Sequence, residues 1–181
     1  MSATRVDLMA SAVGKIGGVT WHHLFLVALD ASGAQSYLRA GPQCMPLEKL
    51  GTRKTQSGEA AEDYEPSPAG PYGVITFSSG AYEPGGADFD PVAANATLAS
   101  GNAAAPLWDK LQVAAKALQE EQIPYDPMAK GANWALTETL RRCGTPVSLP
   151  PKRWAPGASG LRLDPEPQEL VTRRLGQAVV V

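Results

Sequence analysis

The segment 19–39, VTWHHLFLVALDASGAQSYLR, decides the predicted fold. Its first part, 19–29, is apolar and rich in residues that favour β-strands, and 34–39 is a second run of this kind. The residues between them, DASG at 30–33, are typical of a tight turn. Two strand-like runs joined by such a turn predict a β-hairpin.

Further along the chain, the pattern predicts one more strand and two helices. The strand is expected at 72–78 (YGVITFS), and the clearest helix at 106–122. Pro106 suits a first helical turn, and the apolar residues that follow recur at helical spacing. These residues are Leu107, Trp108, Leu111, Ala114, Ala115 and Leu118. A second helix is predicted from Asn133, as its N-cap, to Cys143, with Gly144 ending it.

The remaining segments are predicted to be irregular. Residues 1–18 are expected to be a lead-in arm, and 79–105 a loop with a short helix at 91–100. The Pro-rich segment 41–71 has an acidic middle, which predicts a surface excursion without regular structure. The last segment, 161–181, is predicted to be a tail.

These elements predict one α+β domain over 1–181, with a catalytic-like core at about 19–160. A small antiparallel sheet packs on two or three helices, and long loops connect them. Glycine and proline support the long loops, because 18 and 16 of them make 34 of 181 residues. That is about 19%, against a usual ~12%.

Composition excludes several classes of function. Lys and Arg total 16 against 18 Asp and Glu, a net charge of −2, so nucleic acid is not expected as a partner. No apolar run reaches the ~18 residues of a membrane span, and no signal peptide is recognisable. We therefore expect a cytoplasmic protein as synthesised, with export by a signal-peptide-independent secretion system left open. Cys44 and Cys143 are predicted to be free thiols in a reducing compartment.

The chemistry that the residues offer is limited. His22 and His23 are adjacent on a predicted strand, so their side chains point to opposite faces. They cannot both bind one metal ion in the usual way, and no cofactor or metal site is predicted. No phosphate-binding glycine loop is present. Two interpretations of the histidines stay open, namely structural hydrogen bonding and a catalytic histidine on a strand. Cys143, at a helix C-terminus, is predicted to have a raised pKa.

Several short motifs resemble those of bacterial effector and toxin-like domains. They are HLFLVALD at 23–30 with a following strand that ends in YLRAGP, YEPG at 82–85, DFDP at 88–91, IPYDP at 123–127, TLRRCG at 139–144 and APG at 155–157. The order of a histidine on an early strand and a nucleophile on a later helix resembles the circularly permuted papain-like (NlpC/P60-like) superfamily. That superfamily includes lecithin:retinol acyltransferase-like and PPPDE-type domains.

The resemblance implies a permuted papain-like fold and assigns roles to residues. The nucleophile position of the pattern falls on Ala132, and His23 aligns with the general base. Gln35 is the expected polar group that orients this histidine. Asn133 and Trp134 are expected to hold the oxyanion or position the substrate, the former through its backbone N–H.

Ala132 has no nucleophilic atom, and two explanations fit. Either a natural Cys or Ser has been replaced by an inactivating substitution, which the intact surroundings favour, or the protein is a natural pseudoenzyme. The resemblance thus implies a cysteine- or serine-type amide or ester hydrolase or acyl transferase. The alternative is a catalytically inactive binding module or a phage or secretion-apparatus component.

The implied substrates are peptides, peptidoglycan or acyl groups. A cognate immunity or chaperone protein is an expected partner if the domain is an exported effector. A metal-dependent hydrolase is disfavoured, since two histidines and two cysteines offer too few ligands.

Overall fold

A computed structural model describes residues 2–16, 19–44, 69–84, 94–127, 129–147, 155 and 157–158. In this part of the chain, one antiparallel sheet contains β1 (Ala3–Ile16), β2 (Val19–Asp30), β3 (Gln35–Pro42), β4 (Ile75–Ala81) and β5 (Ala94–Ser100), in the order β4-β3-β2-β1-β5. Two helices accompany it, α1 (Ala104–Glu120) and α2 (Ala132–Arg142). This confirms the predicted α+β class with a small antiparallel sheet.

The hairpin of β2 and β3 is confirmed. Its turn is stabilised by Asp30, whose Oδ1 accepts hydrogen bonds from the backbone N–H groups of Ser32 at 2.8 Å and Ala34 at 3.0 Å. A hydrogen bond from the Ser32 hydroxyl is the main cause that lowers the pKa of Asp30. Gly33 has a φ of +88°, which a residue with a side chain rarely adopts. The turn chemistry of the sequence therefore forms the predicted hairpin.

The first strand corrects the prediction of a lead-in arm at 1–18. β1 pairs with β2 along its length and is a central strand. Val6, Leu8 and Ala10 alternate along it and are buried in the core that includes both helices. This alternation of period two was present in the sequence, but the small residues and glycines around it obscured the pattern.

The predicted short helix at 91–100 is wrong for the residues that the structure describes. Residues 94–100 form β5, the edge strand beside β1. Small residues such as those of ANATLAS have little preference of their own, so pairing with a neighbour decides their conformation. Thr97 contributes a side-chain link, since its hydroxyl donates to the buried Asp7 carboxylate at 2.8 Å.

The main core lies between the sheet and the two helices. Leu24, Leu26 and Ala28 of β2 belong to the same buried cluster as the apolar residues of α1 and α2, namely Trp108, Leu111, Ala115, Leu136 and Leu140. Phe25 and Val27 belong instead to a separate cluster with Tyr82. The two faces of β2 therefore pack in different clusters. The apolar stripe predicted for α1 supplies the buried residues of that helix.

The connection between the helices runs beside residues 73–75, at the start of β4. α1 ends before Gln122, whose φ is +51°. The N–H of Ile75 then donates to Ile123 O at 2.9 Å, and the N–H of Tyr125 donates to Gly73 O at 2.9 Å. This short extended segment brings the chain to the start of α2.

Gly131, and not Asn133, is the N-cap of α2, which corrects the prediction for this helix start. Asn133 is the second residue of α2, and its side chain bonds to a strand instead. Gly144 follows the end of α2 with a φ of +68°, as predicted for a residue that ends a helix.

Some predictions fall on residues outside the described part. They concern 45–68 of the Pro-rich excursion, the DFDP motif at 88–91 and the tail at 161–181. The single-domain organisation stays a prediction. Within the described ranges, no helix is both long and apolar enough to cross a membrane.

Candidate functional site

Asn133 connects the first turn of α2 to β2. Its Oδ1 accepts a hydrogen bond from the N–H of Leu24 at 2.8 Å, and its Nδ2 donates to His22 O at 2.9 Å. The residue is 5% exposed. The peptide groups on both sides of His23 are therefore fixed to the start of α2.

The His23 ring is oriented by the backbone of β3. Its Nε2 lies 3.1 Å from the carbonyl oxygen of Ala40. A carbonyl oxygen can only accept, so Nε2 must carry the proton and Nδ1 has the lone pair when the ring is neutral. An acceptor that fixes one nitrogen and so defines the other as the base is the function of the third member of a catalytic triad.

Ala132 is the first residue of α2, next to Asn133. It is 9% exposed and belongs to a small buried cluster with Ala40, Ile75, Leu118 and Ala135. Ala40 thus takes part in both features, through its carbonyl toward His23 and through its place in the cluster of Ala132. The backbone on both sides of His23 and position 132 therefore lie at the same end of α2.

The start of α2 suits an anionic group. No acidic side chain lies in the first turn, whereas Arg141 and Arg142 lie in the last. The exposed N–H groups of a helix N-terminus carry partial positive charge and stabilise a nearby anion. The preceding residue must be small, because a Cβ on Gly131 would lie 3.1 Å from Asp126 O and 3.3 Å from Pro127 O.

Tyr125 is a site residue that reasoning from the sequence missed. Burial raises the pKa of its hydroxyl, whereas a backbone hydrogen bond from Ala132 and the charge of Arg39 lower it. Its ring centroid lies 5.8 Å from that of Tyr72. Tyr125 therefore places a protonated hydroxyl at the first N–H of α2. The signal was present, since Tyr125 is the central residue of the IPYDP motif.

Trp134 lies on the first turn of α2, close to Lys130 and Gly157. Lys130 Nζ is 5.6 Å from the centre of its ring. A Cβ on Gly157, whose φ is +78°, would lie 3.8 Å from Trp134 Cβ and 3.4 Å from Ala129 O. Gly157 of the APG motif is therefore packed against the start of α2, where the resemblance expects a substrate-positioning residue.

Gln35 is not brought to this site. It lies opposite Leu29, at the turn end of the hairpin, and its carbonyl accepts from the N–H of Tyr82. His23 is six residues from Leu29, or about 20 Å along the strand. The expectation that Gln35 orients His23 is therefore corrected, and Ala40 O has that position instead.

The two histidines lie on different faces of β2, as expected from strand alternation. His22 is buried and shares the face of Leu24, which is directed to the helices, and His23 shares the face of Phe25. The His23 ring nevertheless reaches Ala40 O at the end of the hairpin. That His23, and not His22, acts on position 132 stays a prediction.

The two cysteines are unpaired and partly buried. The predicted rise in the pKa of Cys143 is confirmed, and burial is its main cause, opposed by the charge of Lys110. Among the residues that the structure describes, no three His, Cys, Asp or Glu side chains are grouped as metal ligands.

Comparisons of the chain with models of known protein families, with curated proteins and with solved structures found no match. Functional conclusions for this chain therefore depend on its own residues and geometry.

Proposed function

We propose that this domain has the framework of a cysteine- or serine-type amide or ester hydrolase or acyl transferase of permuted papain-like fold, with Ala132 at the nucleophile position. The observation that carries the proposal is the placement of His23. Its ring is directed by Ala40 O, and its flanking peptide groups are bonded to Asn133, the residue after Ala132.

With a cysteine at position 132, each group would have a defined task. The helix N-terminus would lower the pKa of the thiol, and His23 would take its proton. The thiolate would attack the carbonyl carbon, and the backbone N–H of Asn133 is the proposed donor to the oxyanion. The imidazolium would then protonate the leaving amine or alcohol, and water or another acceptor would release the acyl group.

Position 132 also supports a second candidate function, a binding module that does not cleave its ligand. A methyl group cannot attack a carbonyl carbon, and Ala132 is packed among apolar side chains. In that case the site would hold a peptide or acyl group without turnover. Both functions predict the same substrate classes, namely peptides, peptidoglycan and acyl groups, and an immunity or chaperone protein as a partner.

An activated ester tests the proposal without knowledge of the natural substrate. Ala132→Cys is incubated with p-nitrophenyl acetate, and acetylation of each cysteine is measured by peptide mass spectrometry. We expect rapid acetylation of the new thiol and its loss in Ala132→Cys/His23→Ala. Ala105→Cys is the matched control, because it places a thiol in the first turn of α1, which also lacks an acidic residue. Equal rates at positions 105 and 132 would support the binding module instead.

A further inference from the structure

The hydrogen-bonded ladder between β2 and β3 ends before either strand does. Its last pair is Leu26 with Leu38, although both strands continue beyond it. In the same register Leu24 would lie opposite Ala40, and the alternation of an antiparallel ladder would make this the next hydrogen-bonded pair. The donor to Ala40 O would then be the N–H of Leu24.

Both members of that pair have other partners. The N–H of Leu24 donates to Asn133 Oδ1 at 2.8 Å, and Ala40 O accepts from His23 Nε2 at 3.1 Å. The Asn133 amide also donates to His22 O at 2.9 Å. One side chain of α2 thus supplies the donor and the acceptor that a neighbouring strand would present to this edge of β2.

We infer that Asn133 is a positioning residue that keeps β2 and β3 apart at this point and thereby directs His23 to Ala40 O. At the ordinary strand spacing of ~4.8 Å, the N–H of Leu24 would be directed at Ala40 O in place of the imidazole. Because the N–H of Leu24 is bonded to the Asn133 side chain, Ala40 O accepts from His23 instead. That Asn133 positions a catalytic base rests on the proposed function, but its effect on the orientation of the His23 ring does not.

The tautomer of His23 tests the inference in the chain as it exists. The protein has two histidines, so the ring nitrogens can be assigned by nitrogen-15 NMR with a His22→Gln variant. Spectra are recorded at about pH 8, where an ordinary histidine ring is neutral. We expect His23 to be almost entirely in the Nε2–H form in the parent protein and to become a mixture of tautomers in Asn133→Ala.

Two further variants separate positioning from stability. Asn133→Asp keeps the acceptor for the N–H of Leu24 but loses the donor to His22 O. It should therefore be less stable than the parent protein and yet retain the Nε2–H form, and it tests the inference if Asn133→Ala does not fold. Thr139→Val is the matched control on α2, because it removes a buried hydroxyl bond to Ala135 O without affecting β2. It should lower the melting temperature and leave the tautomer unchanged.

A reactivity measurement connects the tautomer to the site. In the Ala132→Cys background, Asn133→Ala should slow alkylation of the new thiol by on the order of tenfold to a hundredfold, as expected for a misplaced catalytic group. A folded Asn133→Ala variant with an unchanged His23 tautomer would overturn the inference. If the thiol at 132 is unreactive even with Asn133 present, the proposed function fails, and the tautomer alone decides the role of Asn133.

Discussion

The carbonyl oxygen of Ala40 lies 3.1 Å from His23 Nε2, so a backbone group of β3 directs the histidine ring. A backbone acceptor cannot be removed by mutation, and it is present in any sequence that forms this strand. The identity of residue 40 matters only through packing, because its side chain lies in the cluster that contains Ala132. The orientation of His23 therefore depends on how the strands are held, which links the site to the start of α2.

The hydroxyl of Tyr125 is expected to stabilise the start of α2. Tyr125→Phe removes the partner of the Ala132 N–H and should lower the free energy of unfolding by about 1 kcal/mol. Tyr72→Phe is the matched control, since it keeps the ring contact with Tyr125 and leaves that bond in place. Urea unfolding of the two variants measures the difference, and equal losses would show that the bond has no separate effect.

The raised pKa of Tyr125 also predicts a response to alkaline pH. The folded state holds this proton more tightly than the unfolded chain, whose tyrosine titrates near the ordinary value of 10.0. The contribution to stability is therefore complete below that pH and is lost as the pH rises through the folded pKa. Tyr125→Phe should flatten the alkaline limb of the stability curve relative to the parent protein. Tyr72→Phe should flatten it less, because the charge of Tyr72 raises the pKa of Tyr125 less than burial does.

The lowered pKa of Glu138 predicts that the protein loses stability in acid. Hydrogen bonding from Arg141 is the main cause that lowers its pKa from 4.5 to about 2, and Arg142 adds to it. Arg142 also pairs with Glu121, just past the end of α1, so this network joins the two helices.

The stability from Glu138 is present above its unfolded pKa and is lost as the pH falls from about 4.5 to about 2. Glu138→Gln should lower the free energy of unfolding at neutral pH by about 1 kcal/mol, because solvent screens the exposed Arg141. The loss should vanish in acid. Glu120→Gln, at an exposed position on α1, should change stability at neither pH, and a similar acid limb in all three proteins would contradict the assignment.

The fold is predicted to require glycine at position 131, because there is little room for a side chain. A Cβ there would lie 3.1 Å from Asp126 O and 3.3 Å from Pro127 O, both backbone atoms. Gly131→Ala should therefore destabilise the fold by about 1–3 kcal/mol. Gly41→Ala is the control, since a Cβ at that position meets nothing within 4 Å. Thermal unfolding that shows equal stability for both variants would contradict this prediction.

The sequence predicts the elements whose signals are local. The hairpin has a turn with Asp30 and Gly33, α1 has a stripe of apolar residues, and α2 ends at a glycine, and all three are confirmed. β5 lacked such a signal, because small residues adopt the conformation that a neighbouring strand imposes. β1 had an alternating pattern, but its central place in the sheet depends on pairing across the chain.

The site was predictable only in part for the same reason. Motif order identified His23 and position 132, and the Asn133 side chain bonds the peptide groups that flank His23 to the start of α2. Gln35 has an amide group that could orient a histidine, but the register of the hairpin puts it at the turn end, away from His23. The orienting group is a carbonyl, and the amide that matters, on Asn133, acts on the backbone of β2. Neither the role of the Ala40 carbonyl nor that of the Asn133 amide can be deduced from the residue type alone.

Alkylation of Ala132→Cys by iodoacetamide as a function of pH measures whether His23 and the start of α2 activate a thiol at position 132. The account predicts that the thiol at 132 titrates between about pH 4 and 7, against about 8.5 for an ordinary thiol, and reacts at least about tenfold faster than Cys143 near pH 6. Ala105→Cys should not show this reactivity, and His23→Ala should abolish it at position 132. A thiol at 132 that reacts no faster than Cys143, or one that depends on His22 instead of His23, would contradict the account.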